Sequence, residues 1–295
     1  MNEIDFHADD YALSEHSDND ILSLCKEGKL DSISVMVNMR RAPEAVKLLL
    51  DEAKFPSPVL VSIHLNLMEG CPCANHEEIK DLVDDNGFFK VSWLQLVLWS
   101  YNPVKRNRIR KQLATEINAQ IEKAIALGIA DPKHLRLDSH QHPHMIPIVF
   151  DALEDAIKQH NYGVDYIRSS EDPIRFYLRH PGLYRTLRPI NLVKCMILNH
   201  YARHVRHGLQ KMRIPATYLC GVCFSGHMDT ERIRVMIPDF LKAGGEHHRP
   251  VEFLFHPGTM LKDEQTEEFT KPGFNEFHFS EGRRIEYQAV EETNA

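Results

Sequence analysis

The stretch Leu135-Arg136-Leu137-Asp138-Ser139-His140-Gln141-His142-Pro143-His144 decides how this chain is read, because a short apolar-polar alternation ends abruptly in one acid and three histidines. Leu135 and Leu137 alternate with polar neighbours, which is a strand signal, and Pro143 in a polar cluster stops the strand. The histidines therefore fall at a strand end. His140, His142 and His144 are spaced by two, so a chain that stays extended past Asp138 puts all four side chains on one face. Neutral imidazole is a common ligand of divalent transition metals, and an acid beside it serves as a further ligand or as the partner of the second ring nitrogen. The plainer alternative is an exposed polar loop rich in histidine.

Working outward, other strand candidates deliver polar groups to the same end. Ile4 to Ala8 ends in Asp9-Asp10-Tyr11. Neighbouring side chains on a strand point to opposite sides, so Asp9 and Asp10 are expected to take unequal roles, one on a metal and one at a water. Alternatively the pair is a turn, with Asp10 or Ser14 capping a helix from Asn19 to Glu27. Ser32 to Met39 alternates as a second strand, and Ala42 to Ala53 reads as a helix with Pro43 in its first turn. Val59 to Leu67 is a third strand with His64 near its carboxyl end. A lone strand histidine is more often a core residue, but its position beside Asp9, Asp10 and His140 favours a site.

After the histidine run, Pro147 to His160 is helical and Val164 to Arg168 is a fifth strand followed by Ser169-Ser170-Glu171, which places Arg168 and Glu171 at another carboxyl end. Tyr218 to Ser225 is a sixth strand and Glu231 to Ala243 a helix. Val251 to Phe255 is a seventh strand, ending in His256-Pro257-Gly258. Strands alternating with helices give an α/β fold, a distorted (β/α) barrel of about seven parallel strands with its site at the carboxyl rim. Residues 1–290 are taken as a single domain, with Ser280 to Gln288 helical and 291–295 a frayed tail.

Three segments stand outside the strands. The connection 68–102 carries Trp93 and Trp99, which suit sugar stacking but at helical spacing read better as core. Arg106 to Leu127 is a long amphipathic helix with Ile109, Leu113, Ile117, Ile121 and Ile125 on one side. The segment 172–213 is helical and basic, either a solvated face or a partner for acidic segments or a second copy of the chain, so a homodimer stays open.

Composition narrows the function classes. The net charge of −7 and pI near 6.2 offer no overall basic field for nucleic acid. Apolar runs such as Val59 to Ile63 fall well short of the ~18 residues of a membrane span. Met1-Asn2-Glu3-Ile4-Asp5 lacks the basic and apolar regions of a signal peptide, so a cytoplasmic location is expected. Cys71 and Cys73, and Cys220 and Cys223, have no second pair at zinc-ribbon spacing and read as structural thiols.

His7-Ala8-Asp9-Asp10-Tyr11-Ala12-Leu13-Ser14, His64-Leu65-Asn66-Leu67, Asp138-Ser139-His140-Gln141-His142-Pro143-His144 and His256-Pro257-Gly258 resemble, in order, four signature blocks of the YdjC-like carbohydrate deacetylases, from residue 4 to about residue 258. The resemblance implies a metal-dependent enzyme that removes acetyl groups from N-acetylated sugars or short oligosaccharides, on a distorted (β/α) barrel. It implies one divalent metal ion held by Asp10, His64 and His140, with Asp9 as general base and His256 near the leaving group. Asp138, His142, His144, Arg168 and Glu171 are left as substrate-binding or supporting residues. Two departures bear on the pocket: Ala12 stands where the family has Gly, and Gln141 where it has His.

The chemistry asks for these residue types. Hydrolysis of an N-acetyl amide needs a water made nucleophilic near neutral pH and a stabilised oxyanion, which a two-His-one-carboxylate metal with open positions provides. A carboxylate aimed at the water suits the base, and an imidazole suits the acid that protonates the amine. Oxygen and nitrogen donors without thiolate accept Mg2+, Zn2+, Mn2+ or Co2+. Two alternatives remain: a metal-dependent phosphoesterase, which would call for a second set of carboxylate ligands, and a silent sugar-binding protein, which would have no use for a water-activating base.

Overall fold

The alternation at Leu135 is a strand, and it lies inside a sheet of the same parity throughout. The structure, a computed structural model, describes residues 4–52 and 55–293. Its strands are β1 Ile4–Tyr11, β2 Ser32–Val35, β3 Leu60–Leu65, β4 Leu135–Ser139, β5 Val164–Ile167, β6 Tyr218–Cys220 and β7 Val251–Phe255. They form one sheet in the order β5-β4-β3-β2-β1-β7-β6, parallel at every pairing. The helices are α1 Glu15–Lys26, α2 Ala42–Asp51, α3 Trp93–Ser100, α4 Arg106–Ala126, α5 Pro147–His160, α6 Ile174–Tyr177, α7 Pro189–Met212, α8 Thr230–His247, α9 Pro272–His278 and α10 Glu281–Glu292.

The edge strands β5 and β6 are not paired, yet the chain bridges them just past the end of β5. Leu219 N–H donates to the Glu171 carbonyl at 3.0 Å, and Ser169 N–H donates to Thr217 Oγ1 at 3.1 Å. The sheet thus curls into an incompletely closed barrel, as the strand pattern predicts.

Parallel sheets covered on both faces usually read as continuous apolar runs. Here β1 to β5 alternate because the side of the barrel interior they face is polar, whereas β6 and β7 also turn Leu219 and Leu254 inward. Phe6, Ala8, Ile33, Ile63, Leu137 and Phe253 are buried on the outer face, while His7, Ser34, His64, Asp138, Arg168 and Glu252 are buried within. Their bonds cross the barrel: Ser34 Oγ donates to Asp138, Tyr166 OH to Glu252, and Arg168 Nε lies 2.7 Å from Glu252. Buried polar groups persist when partnered, and these are.

Several boundaries differ from the sequence reading. β2 ends at Val35 because Met36 to Met39 turn, with Met39 N–H on the Met36 carbonyl. β6 stops at Cys220, where Gly221 takes φ +142 and the chain wraps the Asp172 carboxylate, which accepts from Cys223 N–H at 3.1 Å. The basic segment is three pieces, since Pro173, Pro181 and Pro189 each open a new helical turn. α2 runs to Asp51, with Ala53 outside the described residues. α10 runs past the expected Gln288 to Glu292, into the stretch 291–295 read as a frayed tail; Asn294 and Ala295 lie outside the described residues. No described helix is long and apolar enough to cross a membrane.

Candidate active site

At the carboxyl end of β1 the backbone departs from the alternation that would separate the paired acids. β1 and β2 pair in register at Ala8↔Ile33, and the next pair is Tyr11↔Val35. Asp10 takes φ +69 and Ala12 φ +75. The extra residue is a bulge that re-aims side chains. Asp9 and Asp10 consequently turn to the same point: His64 Nε2 lies 3.7 Å from Asp9 Oδ2 and 3.4 Å from Asp10 Oδ1. The expectation that the two diverge is overturned, and so is Asp10 as a helix cap, because Ser14 caps α1. Ala12 occupies a left-handed position that favours glycine, and its N–H is tied to Asp18 at 2.7 Å.

The histidine run does not stay extended. β4 ends at Ser139, and Gln141 and His142 take φ +66 and +59, so the three imidazoles separate. His140 Nδ1 is 2.8 Å from Asp10 Oδ1. His142 Nδ1 meets Ser170 Oγ at 2.9 Å, and His144 is fixed between Ser139 and the Arg168 carbonyl, 2.8 Å from Nε2. Asp138 points into the barrel, where it receives His64 Nδ1 at 2.6 Å.

Donor atoms of Asp10, His64 and His140 lie within 4.8 Å of one another. His64 Nδ1 is held by Asp138, an arrangement that fixes tautomer and orientation in metal-binding histidines, and His140 Nε2 stands 3.0 Å from Glu69 Oε1. His64 Nε2 is buried without a hydrogen bond. Around this point the carboxylates Asp9, Asp10, Glu69, Asp138 and Glu252 outnumber the guanidinium groups of Arg168 and Arg283, and all are buried. Burial works against a charged His64, yet Asp9, Asp138 and Asp10 raise it to about 10. A divalent cation meets the same demand for positive charge, so the donor set fits one.

Asp9 is gripped by Arg168, Nη1 to Oδ2 and Nη2 to Oδ1 both at 2.9 Å, with His7 Nε2 at 3.2 Å. Burial would raise its carboxyl, but Arg168, His64 and His7 hold it well below the usual range. Asp10 behaves alike: burial is outweighed by His140, His64 and Arg283, whose Nη1 sits 2.7 Å from Oδ2. Burial, with Lys194 and Arg168 nearby, keeps His142 neutral, and burial lowers His144 to about 4 despite its bond to the Arg168 carbonyl.

These groups open on a cavity of about 300 Å³ whose wall includes Asp9, His64, His140, His142 and His256. His256 Nδ1 stands 3.2 Å from Glu286 of α10. Arg168 lies behind Asp9. Glu171 does not join them, since its carboxylate is taken by Arg206 and, at 2.8 Å, by Arg249. Sequence reasoning missed Glu69, five residues past His64, and Lys194, Asn191 and Arg188, which the basic segment delivers to the wall. It also missed Arg283 and His278, the latter 2.9 Å from Glu69. Glu69, in Met68-Glu69-Gly70 of the loop that follows β3, carried a signal as a lone acid after a ligand-bearing strand. The residues from α7, α9 and α10 carried none.

A curled parallel barrel with an Asp-His-His donor set at its carboxyl rim defines the class, an α/β barrel with a candidate metal centre. A model of the family described as YdjC-like protein matches residues 3–294, and the chain belongs to that family. It is similar to proteins named carbohydrate deacetylase from Clostridium beijerinckii, 31% identical over 55% of this chain and 59% of that protein, and Thermoanaerobacter pseudethanolicus, 32% identical over 54% and 57%. A Yersinia enterocolitica protein named chitooligosaccharide deacetylase is 26% identical over 50% and 53%. The matched stretch thus spans somewhat more than half the length of these relatives. A solved structure described as a cellobiose-phosphate cleavage protein of Enterococcus faecalis shares the fold, with TM-score 0.61 and 17% identity over 98% of this chain and 94% of its own.

Proposed function

We propose that the protein is a metal-dependent carbohydrate deacetylase, which hydrolyses the amide of an N-acetylated sugar or short oligosaccharide to acetate and the free amine. The observation that carries this is the convergence of donor atoms of Asp10, His64 and His140 within 4.8 Å of one another, with Asp9, His64 and His140 on the wall of one cavity. The relatives named carbohydrate deacetylase support it.

Asp10, His64 and His140 would hold the ion, and Mg2+, Zn2+, Mn2+ and Co2+ all suit oxygen and nitrogen donors. Such an ion, when bound, lowers the pKa of a water and polarises the amide carbonyl. Asp138 holds Nδ1 of His64, Glu69 stands beside Nε2 of His140, and Arg283 holds the second oxygen of Asp10. Asp9 takes the proton of the attacking water, in an orientation set by Arg168. The same guanidinium makes Asp9 a weak base, so it holds the proton only in transit. His256, steadied by Glu286, hands a proton to the amine as the C–N bond breaks. Lys194 and Asn191 face the sugar.

The test is acetate release from a panel of N-acetylated sugars by protein reconstituted with each metal. Release with one or more sugars, abolished by chelation and restored by metal, is expected. No release from any of them at full metal occupancy sinks the proposal, and hydrolysis of phosphate esters in its place would point to the phosphoesterase alternative.

A further inference from the structure

Beside the cavity that carries the donor set lies a second, of about 420 Å³. The two share Gln141, Ile190, Lys194 and Phe274. Met68, Val91, Trp93, Val193 and Ile197 add a wall of carbon. Its exposed surface is mostly carbon, and its polar groups are partly engaged with one another or with backbone. Lys194 Nζ donates to Gln141 Oε1 at 3.1 Å, Lys90 Nζ to the Lys80 carbonyl at 3.2 Å and Lys271 Nζ to the Val91 carbonyl. Ser92 Oγ caps α3 by accepting from Gln95 N–H, and the Trp93 indole N–H donates to the Gln141 carbonyl at 3.1 Å. The lysines thus offer this cavity their methylene stems. A second sugar ring placed here would lose water from its hydroxyls with little to replace it. Methylenes lose nothing of the kind.

The helices that wall this cavity supply a second observation. Leu94 and Leu98 of α3 are 67% and 61% exposed, and Ile190, Val193 and Met196 of α7 are 70%, 51% and 56% exposed. Apolar exposure on both of these helices marks surface that meets other apolar matter. Continuity with the catalytic cavity makes that matter part of the same molecule.

We propose that the natural substrate is an amphiphile, an N-acylated sugar bearing an alkyl chain that lies in the second cavity while its amide lies at Asp10, His64 and His140. This rests on the deacetylase reading for the sugar head and adds the tail. The chain reaches the cavity either as the acyl group or as the aglycone, and two substrate series separate these.

The experiment uses the metal-reconstituted full chain with alkyl glycosides of N-acetylglucosamine from methyl to decyl, and with N-acyl glucosamines from acetyl to decanoyl. Binding of alkyl glucosides, which have no amide, is followed separately by tryptophan fluorescence. In one series KM falls, by up to about fourfold per methylene, until the cavity is filled. Val193→Asn, on an exposed helix position outside the catalytic cavity, flattens that slope while leaving turnover of the methyl glycoside intact. KM independent of chain length in both series, or a slope unchanged in Val193→Asn, overturns the proposal. Alkyl glucosides that bind with a chain-length dependence lost in Val193→Asn support it even if no N-acyl sugar is turned over, in which case only the deacetylase reading fails.

Discussion

Asp9 and Asp10 are neighbours with the same functional group, and their partners separate them. Asp10 meets two imidazoles and one guanidinium, whereas Asp9 is held edge-on by Arg168 and opens on the cavity. Asp10→Asn exchanges an anionic donor for a neutral one and is expected to lose bound metal by elemental analysis, along with activity. Asp9→Asn is expected to keep metal and lose about 10²–10⁴-fold in kcat, the usual contribution of a general base. His142 supplies the contrasting arm, because it is neutral, lines the same cavity and leaves one ring nitrogen free of Ser170. Near-normal turnover in Asp9→Asn together with a large loss in His142→Ala would transfer the base role to the imidazole and leave Asp9 as an anchor for Arg168.

At the scale of elements, the loop after β3 is set by α4. Glu116 accepts from Cys73 N–H at 2.9 Å and Ala74 N–H at 2.8 Å, and Gln120 accepts from Asn66 N–H at 2.9 Å, so one face of the helix holds both ends of the segment that carries Glu69. Burial raises the Glu116 carboxyl from 4.5 to about 7, against those backbone bonds. A carboxyl raised on folding contributes stability that is complete below its unfolded pKa and is lost as pH climbs through its folded one. The window here runs from about pH 4.5 to about pH 7. Glu116→Gln cannot ionise, so relative to wild type it should gain up to about 3 kcal/mol between pH 4.5 and pH 8 in urea unfolding. A wild-type-to-mutant difference that does not change with pH would show that Glu116 titrates alike in the folded and unfolded chain, so that burial does not raise its carboxyl.

For the whole molecule, the barrel interior is the unusual feature. Arg168 lies between Asp9, Asp138 and Glu252, at 2.9, 3.1 and 2.7 Å, with no exposure of its side chain. Removing one partner of a buried ionic cluster typically costs about 3–5 kcal/mol, because uncompensated charge is left in a low dielectric. Arg168→Met is therefore expected to destabilise the fold by about that amount in denaturant titration, and Arg168→Met with Glu252→Gln to recover part of it. A loss under about 1 kcal/mol would mean that the carboxylates simply take up protons and that Arg168 serves orientation alone.

The sequence by itself determined the order of strands and helices, the parallel barrel and the presence of Asp10, His64 and His140 at strand ends, because alternation and terminal polar residues are local signals. It also placed Pro43 in the first turn of a helix and offered Ser14 as a cap, because fixed φ and capping act within a few residues. Tertiary structure alone decided how those ends are aimed. The left-handed residues at Asp10, Gln141 and His142 break the period on which a facing argument depends, bringing the paired acids together and spreading the histidines apart. Only the closing of the chain could bring Lys194, His278 and Arg283 to a site built by β1, β3 and β4. Lys194 comes from a segment read as a solvated face, His278 and Arg283 lie beyond the last strand, and Arg283 is 273 positions from the carboxylate it binds. No local pattern encodes a contact made when the last helix folds back over the first strand.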